Sequence, residues 1–92
     1  MSILHLVRRS RFETQDFSLC LQTVSHQDAI VLLDDGCYNA TDEKIHDTAA
    51  NVYVIKSHLT ARALTCPASV ETITMKQLVK LTFSHASVVT WQ

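Results

Sequence analysis

The residues of this 92-residue chain best equipped for chemistry are its three cysteines and five histidines. A thiol attacks only as the thiolate, so a reactive cysteine must be reachable and carry a depressed pKa. Cys20, Cys37 and Cys66 are odd in number and widely spaced. That pattern is neither a disulfide framework nor a Cys-x-x-Cys zinc or redox motif, and it predicts free thiols in a reducing cytoplasm. His5, His26, His46, His58 and His85 lack His-x-x-x-His or Cys/His spacing, so no metal site is expected. Ser57-His58 beside distant aspartates does not define a catalytic triad, which is recognised by geometry. No glycine-rich phosphate loop is present, and no cofactor is expected.

Arg8, Arg9 and Arg11 place three cations together. They suit an acidic partner or a phosphate, but no aromatic residues interleave with them, and a solvated loop is the preferred reading. The formal net charge of -1 gives no electrostatic case for direct nucleic-acid binding. Hydrophobic residues make up 47% and charged residues only 18%, so apolar surface is expected to be covered by another chain. No apolar run approaches the roughly 18 residues of a membrane-spanning helix. The N-terminus lacks the basic region of a secretory signal. One Gly and one Pro argue against disorder. The expectation is one domain over residues 1–92, at the small end of the size range, where partner subunits supply support.

The elements that must position these side chains follow from periodicity. Ser2 to Val7 reads as a strand. From Glu13 to about Ser25, Phe17, Cys20, Leu21 and Val24 fall at i, i+3, i+4 and i+7, the stripe of an amphipathic helix. Ala29 to Leu33 is an unbroken apolar run, the mark of an inner parallel strand covered on both faces. It stops at Asp34-Asp35-Gly36, a turn in which glycine is expected to take positive φ. Cys37 and Tyr38 follow at the carboxyl edge of that strand, where open α/β sheets build sites. Thr41 is expected to cap a short helix ending near Ala50. A strand over 51–56, a helix capped by Ser57 and running through 58–64, a strand over 70–74 and a helix over 75–85 complete the pattern. Ala86 to Gln92 carries neither signature. This order predicts an α/β fold, a small three-layer sandwich on a mainly parallel sheet of four to five strands.

Four blocks carry a resemblance. The opening Ser-Ile-Leu-His-Leu-Val-Arg-Arg-Ser10 is followed by Ile30-Val-Leu-Leu-Asp-Asp-Gly36. Then come Val52-Tyr-Val-Ile with Leu59-Thr-Ala-Arg-Ala-Leu64, and Leu78-Val-Lys-Leu-Thr-Phe-Ser-His85 with Trp91. In order and spacing they resemble the DsrH/TusB family of bacterial sulfur-relay subunits. The resemblance implies the DsrE-like fold and a place in a cytoplasmic heterohexamer with homologous TusC/DsrF-like and TusD/DsrE-like subunits. It also implies a TusE/DsrC-like sulfur acceptor and persulfide transfer towards the 2-thio group of the tRNA wobble uridine. A DsrH-like subunit of a sulfur-oxidising DsrEFH complex, or a thiol-transfer protein using Cys20 as persulfide acceptor, are the alternatives. Where the family has Asp-Tyr leading into its last helix, this chain has Thr74-Met75.

The resemblance favours Cys20 as candidate persulfide cysteine, with Cys37 behind it. On its helical stripe, however, Cys20 has the pattern of a small buried hydrophobe. Two carboxylates precede Cys37, and negative charge raises a thiol pKa. In the family the sulfur carrier is the DsrE/TusD-type subunit, which makes an accessory role the expectation here. The last helix places Met75, Leu78 and Val79 on one stripe and Leu81 and Phe83 off it, so two sides need cover. Either the tail with Val88, Val89 and Trp91 supplies it or another subunit does. Leu81, Phe83 and Trp91 are the interface candidates.

Overall fold

A computed structural model of the chain describes residues 2–91. Five strands form one sheet in the order β4-β3-β2-β1-β5, with β1 at Ile3–Val7, β2 at Ala29–Leu32, β3 at Asn51–Ile55, β4 at Glu71–Ile73 and β5 at Ser87–Trp91. Every pairing is parallel. All four residues of β2 are buried, as a strand lined by helices on both faces requires. The helices are α1 at Asp16–Thr23, α2 at Lys56–Ala61 and α3 at Met75–Ser84. Together they give the three-layer α/β sandwich expected from the order of elements.

The strand order decides which face each helix covers. From β1 to β4 the chain steps one way across the sheet, so right-handed crossovers keep α1 and α2 on one face. From β4 it returns to the far edge, and α3 falls on the other face. The two cores agree with this. Phe17, Cys20 and Leu59 share a cluster with Val7, Ile30, Leu32, Val52 and Val54. Leu78 shares the opposite cluster with Leu4, Ala29, Val31, Ile55 and Ile73, and Leu81 packs against it.

Several expectations are corrected. The tail carrying no readable pattern is strand β5, which pairs with β1 along its whole length from Ile3↔Ser87 to Val7↔Trp91. Gln92 lies outside the described residues. The turn after β2 opens a 3₁₀ segment, Asp34–Thr41, and a second spans Glu43–Asp47, where a helix to Ala50 was expected. Asp42, not Thr41, caps the second segment, accepting from the Lys44 N–H at 3.0 Å. Within the turn, Asp34 takes the positive φ of 52°, and Gly36 does not. The glycine answers a different need: a Cβ there would lie 2.0 Å from the Val7 carbonyl oxygen. Ser57 sits inside α2, whose N-cap is Ile55.

The stripe read from α3 is also turned. Leu78 faces the core and Leu81 packs beside it, whereas Met75, Val79 and Phe83 stay exposed. The tail lies in the sheet plane beside β1 instead of lying over this helix.

Candidate functional site

The carboxyl ends of β1, β2 and β3 bring five charged or titratable side chains together. Arg8 follows β1, and its Nε donates to Asp34 Oδ2 at 3.0 Å. The Asp34 backbone N–H donates to His58 Nδ1 at 3.0 Å, tying the turn after β2 to α2. Arg62 donates through Nε to Asp35 Oδ1 at 3.1 Å and through a terminal nitrogen to the His58 carbonyl at 3.2 Å. A cleft of about 440 Å³ lies among Arg8, Arg9, Glu13, Asp34, Asp35 and Arg62. Three cations there meet three carboxylates, and the pairs are partly solvated, so they order the loops more than they add stability. No thiol lines this cleft.

Arg11 is not the solvated cation expected of it. Its backbone N–H donates to the buried Asn39 Oδ1 at 2.7 Å, and its guanidinium reaches the Tyr38 carbonyl and Thr41 Oγ1. The guanidinium also stands 4.3 Å from the centre of the Phe12 ring.

A second feature sits between β3 and β4. The chain leaves β3 through α2 onto one face and leaves β4 through α3 onto the other, so these neighbouring strands part at their carboxyl ends. Such a switch in direction opens a crevice in doubly wound sheets. Here it is a cleft of about 820 Å³, lined by Lys56, Thr60, Ala61, Thr74, Met75 and Lys76 among others. Thr74 and Met75 stand at the mouth of α3 on the wall of this cleft. Thr74 is the N-cap of α3 and closes a capping box with Gln77. Its hydroxyl accepts from the Gln77 N–H at 3.1 Å, while Gln77 Oε1 accepts from the Thr74 N–H at 2.8 Å.

The thiols lie elsewhere. Cys20 is completely buried on α1, and its pKa is pushed up to about 12, first by burial and then by the negative charge of Asp28. Cys37, in the first 3₁₀ segment, is 1% exposed, with Sγ 4.0 Å from the Leu32 carbonyl oxygen. Burial raises it to about 11; the Arg62 guanidinium acts to lower it, and the carboxylates of Asp34 and Asp35 act to raise it. Both pack into the core cluster on the α1 face. Cys66 is half-buried at the end of the α2 region, Sγ 3.8 Å from the Val70 carbonyl oxygen. All three are free.

One polar network lies inside the fold, and the sequence showed no sign of it. His5 is 1% exposed in β1. The Trp91 indole N–H donates to His5 Nδ1 at 3.1 Å, and His5 Nε2 lies 3.0 Å from Asp28 Oδ2. An indole nitrogen can only donate, so Nδ1 accepts and Nε2 carries the proton given to Asp28. The backbone N–H groups of Ile3 and Ser25 complete the carboxylate's shell at 3.0 and 3.2 Å. Burial alone would raise the Asp28 pKa, but these donated bonds hold it below its ordinary value. Trp91 thus spends its polar atom within its own chain. Of the other interface candidates, Leu81 is half-buried and Phe83 is 85% exposed.

Among the described residues no group of His, Cys, Asp and Glu is placed to hold a metal ion, and no helix is long and apolar enough to cross a membrane.

Comparison with known proteins agrees with this architecture. Protein TusB of Escherichia coli O81 (strain ED1a) is 33% identical over 96 residues, covering 97% of this chain and all of the relative. Protein TusB of Shigella boydii serotype 18 matches equally well over the same span. The solution NMR structure of protein Tm0979 from Thermotoga maritima superposes with a TM-score of 0.71, covering 91% of this chain and 93% of that one. Its 24% identity speaks for the fold alone. The family model described as DsrH like protein matches residues 9–88. A sheet of this order, a full-length relative at this identity and a family match across most of the sequence lead to one conclusion: the chain belongs to the DsrH/TusB family.

Proposed function

We propose that this chain is an accessory subunit of a cytoplasmic sulfur-relay assembly that serves 2-thiolation of the tRNA wobble uridine. Its partners in that role are homologous TusC/DsrF-like and TusD/DsrE-like chains in a heterohexamer, which hands persulfide sulfur to a TusE/DsrC-like acceptor. Family membership supports the sulfur-relay role. The observation that carries the accessory part is the state of the two candidate thiols. Cys20 and Cys37 are buried, and their pKa values stand at about 12 and about 11. A carrier thiol must be reached by a donor and must ionise near neutrality, and burial opposes both.

The test is complementation of a strain lacking this subunit, with 2-thiouridine in tRNA as the readout. The unsubstituted chain is expected to restore 2-thiouridine, and Cys20→Ala, Cys37→Ala and Cys66→Ala variants to restore it equally. Loss of 2-thiouridine with a folded Cys20→Ala variant would move the persulfide onto this chain. An unchanged 2-thiouridine level in the deletion strain itself would move the assembly to the sulfur-oxidising branch.

A further inference from the structure

The outer side of α3 and the crevice at its N-terminal end form one continuous surface. Met75, Val79 and Phe83 recur at i, i+4 and i+8, so they make a single ridge along the helix. Their exposures are 47%, 52% and 85%, high for large apolar side chains. Lys76 and Lys80, also four apart, run beside the ridge. At the N-terminal end Met75 and Lys76 pass into the cleft of about 820 Å³ between α2 and α3, where Lys56, Thr60 and Ala61 form the other wall. None of the three lysines pairs with a carboxylate among the described residues. Arg8, Arg11 and Arg62 each do, while Arg9 and Lys44, away from this surface, also have no such partner among the described residues. Three unpaired cations therefore frame an apolar ridge and an apolar-walled slot.

The charge pattern selects the occupant. Helix α3, Met75-Lys-Gln-Leu-Val-Lys-Leu-Thr-Phe-Ser84, contains no acidic residue. Packing of α3 against α3 in a second copy would bury apolar surface but offer its lysines no carboxylate. An antiparallel two-fold pair would moreover set the two lysine rows on the same side, where they repel. A different chain that supplies carboxylates satisfies both halves of the surface.

We propose that the α3 ridge and the adjoining crevice are the docking site for a non-identical protein chain whose contact surface is apolar and rimmed by carboxylates. One apolar side chain of that partner enters the crevice between α2 and α3, and its carboxylates meet Lys56, Lys76 and Lys80. Apolar contact supplies most of the affinity, and the lysines supply orientation and association rate. The inference rests on the hetero-oligomeric reading above and names the surface that reading needs.

The experiment is titration of this chain against its co-purified TusC-type and TusD-type sister chains, followed by light scattering and native mass measurement. The unsubstituted chain is expected to join them. Met75→Asp and Phe83→Asp variants, folded by circular dichroism because both positions are exposed, are expected to bind at least about tenfold more weakly. A Lys56→Glu/Lys76→Glu/Lys80→Glu variant is expected to lose about tenfold and most of the salt dependence of association. Leu19→Asp, at an exposed position on the opposite layer, is expected to bind as the unsubstituted chain does. If the unsubstituted chain assembles and the α3 variants assemble equally well, the docking surface is overturned while the subunit role stands. If Leu19→Asp is as damaging as Phe83→Asp, the surface is not selective and the proposal likewise falls. If the unsubstituted chain joins neither sister chain, the subunit role falls and takes this inference with it.

Discussion

The two faces of the sheet are covered to very different depths. One carries α1, the two 3₁₀ segments and α2 over a core holding Phe17, Ile30, Leu32, Val54 and the thiols of Cys20 and Cys37. The other carries α3 alone over a smaller cluster, and half-buried Leu6, Leu33 and Tyr53 border it. Two segments on these faces also differ in charge. The stretch from Asp34 to Asp47 contains five carboxylates and one lysine, while α3 holds two lysines and no acid. The difference teaches that a full helical layer on one side completes a core, and a single helix on the other leaves an apolar ridge for something else to cover. In a chain of this size the surface that could be buried is limited, and unburied apolar surface is the ordinary mark of an interface.

The sharpest way to break this contrast is to cut equal amounts of aromatic surface from each face. Phe17→Ala empties the well-covered side, and the isolated chain is expected to lose about 3–5 kcal/mol in urea unfolding. A loss no larger than that of an exposed residue would mean the α1 face is not the structural core.

The buried thiol of Cys20 gives a pH arm. Its folded pKa is raised, so its contribution is complete below the ordinary thiol value of 9.0 and is lost as pH climbs towards about 12. Urea midpoints are expected to fall over that window and to fall less in Cys20→Ala. Asp28 has the opposite sign. Its folded pKa is lowered, so its contribution is present above the ordinary value of 3.8 and disappears as pH drops through the lowered one. Asp28→Asn is expected to cost about 1–3 kcal/mol at neutral pH and to flatten the acid limb of the unfolding profile.

On the thinly covered face the expected effects shrink. Thr74→Ala removes the capping hydroxyl of α3 and should cost about 1 kcal/mol, read as a lowered thermal midpoint. Phe83→Ser should change the stability of the isolated chain by no more than about 0.5 kcal/mol. A large loss from Phe83→Ser would show that the ridge is already packed within the monomer, and the contrast between the faces would vanish.

Much of this contrast was written locally. The uninterrupted run from Ala29 to Leu33 announced a strand buried on both faces, observed over Ala29–Leu32, and the stripe of Phe17, Cys20, Leu21 and Val24 announced which side of α1 turns inward. The order of strands and helices announced an α/β sandwich. The crevice was not readable, and the reason lies in the tail. Ser87-Val-Val-Thr-Trp91 has no period of its own, and only its pairing with β1 makes it a strand. Without β5 there is no reversal after β4, hence no parting of α2 and α3 and no cleft at Thr74 and Met75.

Sequence alone determined what neighbours within a few residues can determine: the apolar runs, the stripe of α1 though not that of α3, the family's ordered blocks and the spacing of thiols and histidines. Only the tertiary structure decided that Trp91 bonds His5 and His5 bonds Asp28, that Asp34 takes the left-handed turn, and that α3 shows solvent Met75, Val79 and Phe83. Periodicity is a property of short stretches and survives in the one-dimensional record. The choice of a hydrogen-bond partner 86 positions away is made by the free energy of the whole packed chain.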